Sequence, residues 1–148
     1  MNATPNAAAI TWYRISDIRL IDLPRHVRED GALVVAEAPH VPFLIPRIFT
    51  ITAPAGAVRS KHAHRLCSQL IVCVHGKIDI VCDDGTSERT ITLDRGDLGA
   101  LMPPTIWTTV IVRQQGSVLL ALCDRRYEPE DYIRDYDEFL AMRRAAQQ

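Results

Sequence analysis

Short runs of apolar or alternating residues follow one another from about residue 15 to residue 125, and glycine, proline or aspartate interrupts them. Most of the runs have the length of a β-strand, and their regular succession is typical of an all-β sandwich or barrel. The pattern predicts strands at 15–23, 32–36, 47–52, 69–74, 77–82, 90–93, 98–102, 106–112 and 117–123. Some of these runs are apolar on both faces, so we expect them to be buried between two sheets or inside a dimer.

The pattern changes after Tyr127. Proline and acidic residues at 128–131 favour the first turn of a helix, and apolar residues then recur at intervals of three and four as far as Leu140. Arg143 and Arg144 suit the negative end of a helix. The sequence therefore predicts a C-terminal α-helix at about 129–144 that packs across the β core.

Composition is that of one ordinary folded domain. The chain has 148 residues, of which 47% are hydrophobic and 24% charged, and this is enough to bury a core without disulfide bonds. We expect a single domain over 1–148 with its β core at about 15–125. The 17 basic and 18 acidic residues are interspersed and give a formal net charge of -1. Nucleic acid and membranes are therefore not expected as partners.

Cellular location and thiol state are further expectations. The chain has no run of 18 apolar residues, and the apolar stretch near its start is too short for a secretory signal, so we expect a cytoplasmic protein. Its cysteines, Cys67, Cys73, Cys82 and Cys123, show no C-x-x-C spacing. Three of them lie in apolar strand-like runs, which favours reduced thiols packed in the core.

The most informative chemical feature is the pair His62 and His64, which stands at a fixed spacing from other residues. Gly56 precedes the pair by five intervening residues, Gln69 follows it after four, and Gly76 follows Gln69 after six. This compound spacing resembles the first motif of the cupins, in which a glutamate stands at the position of Gln69. Residues two apart on a strand project to the same face, so both imidazoles should point into the interior.

Two histidines in one pocket suggest acid–base chemistry. Imidazole titrates near neutral pH, so a pair of them can remove a proton from one carbon and return a proton to its neighbour, as keto–enediol isomerisation requires. The alternative is that His62 and His64 are buried core residues with no chemical role. The basic residues around them, Arg59, Lys61 and Arg65, favour the functional interpretation.

The same comparison of motifs argues against a metal. In metal-binding cupins the two histidines, the glutamate and a histidine from a second motif hold a divalent transition metal. Here the neutral Gln69 replaces the glutamate, and Thr108 stands where the last histidine would be. Half of the ligand set is missing, so we expect neither a metal nor another cofactor.

Candidate substrate-binding residues surround the histidine pair in the sequence. Arg47 and Arg59 are candidates for a diphosphate, because a guanidinium group matches phosphate oxygens. Trp107 is a candidate for stacking on a base or a sugar. We add Gln69 and Thr108, which occupy the two cupin ligand positions.

Longer strings between about residues 30 and 143 resemble the sugar-nucleotide 3,4-ketoisomerases of the WxcM-like cupin family. The strings that carry the resemblance are Val41-Pro42-Phe43 followed by Arg47, Arg59 ahead of the histidine pair, and residues 69–76, 83–85, 91–94, 104–107 and 127–136. The resemblance implies an all-β cupin jelly-roll (double-stranded β-helix) barrel with one C-terminal α-helix, assembled as a homodimer and free of metal.

The resemblance also implies a reaction. In this family a dTDP-linked 4-keto-6-deoxyglucose is converted to a 3-keto sugar through an enediol, within deoxyamino-sugar biosynthesis for surface polysaccharides such as O-antigen or for antibiotics. It implies His62 as the base at C3 and His64 as a proton donor or shuttle. Two other functions stay open: a non-catalytic cupin that binds a sugar nucleotide or a partner, and a metal-dependent cupin enzyme.

Overall fold

The computed structural model describes residues 9–148, so the first eight residues of the predicted 1–148 domain lie outside the described part. The described residues form two five-stranded antiparallel sheets, a separate two-stranded hairpin and one α-helix. The elements in chain order are β1 (Arg19–Asp22), β2 (Arg25–Arg28), β3 (Gly31–Val34), β4 (Arg47–Thr52), β5 (Val58–His64), β6 (Gln69–His75), β7 (Ile78–Asp83), β8 (Glu88–Leu93), β9 (Leu98–Met102), β10 (Trp107–Val112), β11 (Val118–Cys123), β12 (Tyr132–Ile133) and α1 (Tyr136–Ala146).

Most successive strands of the chain alternate between the two sheets. The first sheet has the order β1-β9-β6-β11-β4 and the second the order β12-β5-β10-β7-β8, while β2 and β3 pair only with each other. From β4 to β11 the chain changes sheet at every connection except the β7–β8 hairpin, which is the jelly-roll arrangement. The predicted all-β jelly-roll with one C-terminal helix is confirmed. Within residues 9–148 the ladders form two separate sheets rather than one closed barrel.

Strand β6 shows why some runs are apolar on both faces. Ile71 and Cys73 point inward and pack in the core between the two sheets. Leu70 and Val72 point outward, where Val41 from the segment before β4 covers them in a second apolar cluster. The chain therefore buries the outer face of this strand with its own residues.

Three strands were missed by the apolar pattern, namely β2, β5 and β12. Strand β5 carries mostly polar or charged residues, so no alternation marked it. It is also irregular, because Ser60 and Lys61 have φ angles of 69° and 60° and its register with β10 shifts between Thr108 and Thr109. A bulge of this kind redirects side chains locally, and here it lies immediately before the histidine pair.

The C-terminal helix begins later than predicted, so its expected start at 129 is wrong. Residues Pro129–Asp131 form a single 3-10 turn, and Tyr132 and Ile133 then pair with the end of β5. The helix begins after Asp135, whose carboxylate accepts a hydrogen bond of 2.8 Å from the backbone N–H of Glu138. This side chain caps the helix, whereas proline and acidic residues at 128–131 fit a 3-10 turn equally well.

Helix α1 is fastened across the outer face of the second sheet. Phe139 is completely buried and packs with Ala63 of β5 and Trp107 of β10. The guanidinium of Arg143 donates hydrogen bonds of 2.6 Å to the backbone oxygens of Tyr13 and Thr105. The helix thus ties the start of the described chain and the β9–β10 connection to the strand that carries the histidines.

Two further observations concern the whole described chain. All four cysteines are free and buried, which confirms the expectation of reduced core thiols. Within residues 9–148 no helix has the length and apolar character that crossing a membrane would demand.

The turn at Gly76 offers a test of the packing between strands. Gly76 and Gly56 have nearly equal φ angles of 87° and 88°. A Cβ atom at Gly76 would lie 2.7 Å from the Cα atom of Ser117, whereas nothing lies within 4 Å of one at Gly56. Gly56→Ala should lower the free energy of unfolding by about 1–2 kcal/mol through backbone strain alone. Gly76→Ala should lower it by about 1–3 kcal/mol more, and equal losses in chemical denaturation would contradict this packing.

Candidate active site

A cavity of about 590 Å³ opens between the two sheets. Strands β4, β6 and β11 form one wall and strands β5 and β10 form the other, while the segment after β11 closes one side. The volume falls in the range of about 300–1,000 Å³ that is usual for small-molecule sites. This cavity is the candidate active site.

Most of the site residues suggested by the sequence meet in this cavity. Arg47, Arg59, His62, Gln69 and Thr108 all line it. On the regular strands the residues that face the other sheet are two apart. Arg59 and His62 are three apart on β5, and both reach the cavity because the irregularity at Ser60 and Lys61 lies between them. The first sheet contributes Arg47 and Gln69, and the second contributes the other three.

Trp107 is the exception, because it does not line the cavity. Its ring packs against the rings of Tyr136 and Phe139 of helix α1, at centroid distances of 5.2 and 5.6 Å. Adjacent residues on a strand point to opposite faces, so the inward direction of Thr108 sends Trp107 outward. The tryptophan is part of the helix–sheet packing.

The two histidines lie side by side. The rings of His62 and His64 are 4.9 Å apart between centroids, with the edge of one against the face of the other. His62 lines the cavity, and His64 lies behind it with 7% of its surface exposed. The backbone oxygen of His64 accepts a hydrogen bond of 2.7 Å from the N–H of Thr105, which holds this end of β5 in place.

His64 is anchored by a buried carboxylate. Its Nδ1 lies 2.8 Å from Oδ2 of Asp131, whose Oδ1 accepts a hydrogen bond of 2.7 Å from the backbone N–H of Leu66. Burial acts to raise the pKa of Asp131, but the hydrogen bonds from His64 and Leu66 outweigh it and hold that pKa below its usual value. The carboxylate is therefore ionised, and it favours a proton on Nδ1 of His64.

His62 lies in a different environment. Burial, reinforced by the neighbouring imidazole of His64, lowers the pKa of His62 to about 4. Within the described chain its Nδ1 has no hydrogen-bond partner, and neither does Nε2 of His64. At neutral pH His62 is thus an uncharged imidazole at the cavity wall, able to accept a proton.

Tyr132 completes the group around the histidines. Its ring centroid lies 5.0 Å from that of His62 and 4.5 Å from that of His64. Its hydroxyl oxygen accepts a hydrogen bond of 3.1 Å from Nη1 of Arg47, and the guanidinium of Arg134 lies 4.3 Å from the ring centroid. Tyr132 also lines the cavity, so its phenol is accessible to a ligand bound there.

The cavity attracts anions. Arg47, Arg59 and Arg134 line it, and the lining residues between 9 and 148 include no aspartate or glutamate. The guanidinium of Arg47 lies 4.8 Å from the ring centroid of Phe49 and 4.9 Å from that of Tyr127, so it is held between two aromatic faces. Guanidinium groups arranged in this way suit phosphate oxygens.

The cupin metal-ligand positions do not fit a metal here. The side-chain amide of Gln69 donates to Sγ of Cys123 at 3.4 Å, and the hydroxyl of Thr108 donates to the backbone oxygen of His62 at 3.5 Å. Both positions hold neutral groups that are already engaged with the protein. Two imidazoles without an anionic ligand form a poor site for a divalent cation on the cavity side.

Sequence analysis missed the residues that follow β11. Asp131 and Tyr132 are beside the histidines, and Tyr127 and Arg134 line the cavity, but the helix expected from 129 hid this arrangement. The pairing of Tyr132 with His64, between β12 and β5, brings this segment beside the histidines. A signal was present, because the string 127–136 is the part of the sequence that most strongly resembles the ketoisomerases.

Comparisons with known proteins agree on one group. The family model described as "FdtA: WxcM-like, C-terminal" matches residues 16–144. A TDP-4-oxo-6-deoxy-alpha-D-glucose-3,4-oxoisomerase from Aneurinibacillus thermoaerophilus is 32% identical over 123 residues, which are 82% of this chain and 88% of that protein.

Solved structures of 3,4-ketoisomerases are also similar to this chain. A 3,4-ketoisomerase from Helicobacter canadensis has a TM-score of 0.83 and 31% identity, over 86% of this chain and 98% of that one. QdtA, a sugar 3,4-ketoisomerase from Thermoanaerobacterium thermosaccharolyticum solved with TDP, has a TM-score of 0.86 and 27% identity, over 90% and 98% of the two chains. A histidine-to-asparagine variant of QdtA was solved with TDP-4-keto-6-deoxyglucose.

The carboxylate behind His64 predicts a pH-dependent contribution to stability. Because the folded-state pKa of Asp131 is lowered, its contribution is present above the unfolded pKa of about 3.9 and is lost as pH falls through the folded pKa. Asp131→Asn should therefore lower the free energy of unfolding by about 1–3 kcal/mol at pH 7, and this difference should shrink below about pH 4. Chemical denaturation at several pH values measures it. Asp94→Asn, at an exposed position, serves as the control, and a pH-independent difference for Asp131→Asn would contradict the analysis.

Proposed function

The chain belongs to the WxcM-like family of sugar 3,4-ketoisomerases, and on that premise we propose that its cavity converts TDP-4-keto-6-deoxyglucose to the TDP-linked 3-keto-6-deoxyhexose. The protein is an isomerase, because the curated relative and the similar structures are 3,4-ketoisomerases. The observation that carries the mechanism is the pair of adjacent imidazoles in an arginine-lined cavity, one uncharged and one anchored to a carboxylate. The non-catalytic and metal-dependent alternatives are not favoured.

The arginines of the cavity bind the diphosphate in this proposal. Arg47, Arg59 and Arg134 form its cationic lining, and no described lining residue opposes them with a negative charge. The complexes of QdtA with TDP and of its variant with TDP-4-keto-6-deoxyglucose support a TDP-sugar as the ligand of the equivalent cavity here. The amide oxygen of Gln69 and the hydroxyl oxygen of Thr108 remain as acceptors for the sugar hydroxyls, because only their donor groups are engaged with the protein.

His62 is the proposed base at C3. The C4 carbonyl acidifies the C3–H bond, and removal of that proton moves the electron pair into a C3–C4 double bond and leaves negative charge on O4. His62 is available because its lowered pKa keeps it unprotonated at neutral pH. The anionic diphosphate and the developing enediolate both favour the protonated imidazole once the substrate is bound.

Tyr132 is the proposed acid at O4. Its hydroxyl is paired with Arg47, so it can protonate the enediolate oxygen and then take the proton of the C3 hydroxyl as the C3 carbonyl forms. The proton taken by His62 passes to Nε2 of the adjacent His64 ring, and His64, held at Nδ1 by Asp131, then delivers that proton to C4. C3 and O3 each lose one proton while C4 and O4 each gain one, so His62, His64 and Tyr132 all return to their starting states.

The proposal includes the assembly and the place of action implied by the family resemblance. A cytoplasmic location agrees with a charged nucleotide as substrate, and the family resemblance implies a homodimer. The exposed hairpin of β2 and β3 supports the dimer, because it carries Val27 and Leu33 with 64% and 59% of their surfaces exposed, and apolar patches of this kind mark association surfaces. Deoxyamino-sugar biosynthesis is the proposed pathway class, since a 3-keto group is a substrate for amination.

Hydrogen exchange in deuterated water tests the reaction. The purified protein incubated with TDP-4-keto-6-deoxyglucose in D₂O should form the 3-keto product with deuterium incorporated at C4, and unreacted substrate should acquire deuterium at C3. The readout is NMR of the nucleotide sugar. His62→Asn should lower both rates by about 10²–10⁴-fold, which is the usual contribution of a general base.

Two variants make the result specific. Tyr132→Phe removes only the hydroxyl and should slow product formation by about 10²-fold or more while leaving TDP binding unchanged. His75→Asn, at an exposed position at the end of β6, should retain the wild-type rate. Absence of exchange and of product with the folded wild-type protein would refute the proposed function.

A further inference from the structure

A second cluster of reactive side chains lies directly behind the active-site cavity. We propose that His64, Cys67 and Asp131, with Cys123 beside them, form an inhibitory binding site for a soft divalent cation such as Zn²⁺ or Cd²⁺. The three principal donors come from the end of β5, the β5–β6 connection and the 3-10 turn after β11. The site shares His64 with the cupin ligand positions but differs in its other donors, because Cys67, Cys123 and Asp131 do not line the cavity.

The donor atoms are already close together. A ring nitrogen of His64, Sγ of Cys67 and a carboxylate oxygen of Asp131 all lie within 4.8 Å of one another, and Nδ1 is the nitrogen that faces Asp131, at 2.8 Å. The exposed fractions of these residues are 7%, 4% and 6%. Zinc binds nitrogen and oxygen at about 2.0–2.2 Å and sulfur at about 2.3 Å, so tetrahedral donors stand about 3.5 Å apart. A contraction of about 1.3 Å at most, within reach of side-chain rotation, would close the site around a cation.

Cys123 lies beside the cluster, outside the three donor atoms that come within 4.8 Å of one another. Its thiol interacts with the Cys67 thiol, and the amide of Gln69 donates to its sulfur at 3.4 Å. Rotation of its side chain would bring its sulfur in as a fourth donor. The set of two sulfur atoms, one imidazole nitrogen and one carboxylate oxygen selects borderline and soft cations over Mg²⁺ or Ca²⁺. The hydrogen bond from Gln69 orients the sulfur, as groups around metal ligands commonly do.

A cation can reach the cluster through the cavity wall. His62, Gln69 and Tyr132 line the cavity on one side. On the other side they touch the cluster: His62 packs on His64, Gln69 contacts Cys123, and Tyr132 follows Asp131 in the chain. The cluster is therefore one side chain away from solvent in the cavity.

Binding would switch off the proposed reaction. Coordination takes the lone pair of Nδ1 on His64, which requires the proton shared with Asp131 to leave. His64 is then fixed as a metal ligand, and Asp131 no longer anchors an exchangeable proton. The inhibition rests on the proposed function of His64, whereas the binding of the cation does not.

Cadmium titration tests the site through the sulfur atoms. Cd²⁺ added to the purified reduced protein should produce a saturable thiolate-to-cadmium charge-transfer absorption in the ultraviolet, with one cation bound per chain. Cys67→Ser should abolish most of this absorption and weaken binding by about 10–100-fold. Cys73→Ser is the matched control, because Cys73 is an equally buried thiol outside the cluster. His62→Ala should keep the absorption, since the cavity-side imidazole is not a ligand.

The outcomes separate the site from the enzyme function. No charge-transfer absorption, or an absorption unchanged in both Cys67→Ser and Cys123→Ser, would overturn the cation site. If circular dichroism shows that Cys67→Ser is unfolded, Cys67→Ala and Cys123→Ser take its place. Cd²⁺ should also inhibit isomerisation over the concentration range in which it binds, and binding without inhibition would overturn the inhibitory role. A protein that binds Cd²⁺ through its thiols but never turns over TDP-sugar would refute the proposed function and leave the cation site intact.

Discussion

The contact between Asp131 and His64, 2.8 Å from carboxylate oxygen to Nδ1, is the interaction on which the rest of the site depends. A carboxylate buried to this extent carries a large desolvation penalty unless it is hydrogen-bonded. Here the imidazole of His64 and the backbone N–H of Leu66 compensate it. The same turn is held by the N–H of Arg65, which donates to the backbone oxygen of Asp131 at 2.7 Å. Together these bonds join β12 to β5 and set Tyr132 beside both histidines.

The contact also gives two identical side chains different chemical characters. His64 has an anionic partner that orients its ring and fixes a proton on one nitrogen. His62 has no such partner, and burial beside another imidazole keeps it neutral. A difference in environment between two neighbouring titratable groups is a general indication of which one acts as the acid and which as the base. The arginines on the cavity wall add the positive potential that a nucleotide diphosphate needs.

Motif spacing and strand periodicity explain both the success and the limits of the sequence analysis. The cupin motif spacing singled out His62, Gln69 and Thr108, and the chemistry of the guanidinium singled out Arg47; all four line one cavity. Strand alternation shows why Trp107 is elsewhere, because a residue next to an inward-facing threonine must face outward. Strand β5 carries no apolar alternation, since it is made largely of functional residues, and only the spacing of its histidines revealed it.

The segment after β11 could not be derived from local pattern. Proline and acids at 128–131 are equally compatible with a helix start and with the 3-10 turn that is present, and the choice is made by pairing with residues more than sixty positions earlier. That pairing is a tertiary effect that periodicity does not contain. It also brings the thiols of Cys67 and Cys123 close to the catalytic group, whereas the sequence had predicted only that the cysteines pack in the core.

The division of roles between the histidines can be observed directly by long-range ¹H–¹⁵N NMR of the imidazole rings. The structure predicts that His62 stays neutral as pH is lowered from 8 to about 5, and that His64 carries a proton on Nδ1 in the presence of Asp131. A His62 ring that titrates at about 6.5, the value of an unperturbed histidine, would contradict the account. So would a His64 ring that carries its proton only on Nε2.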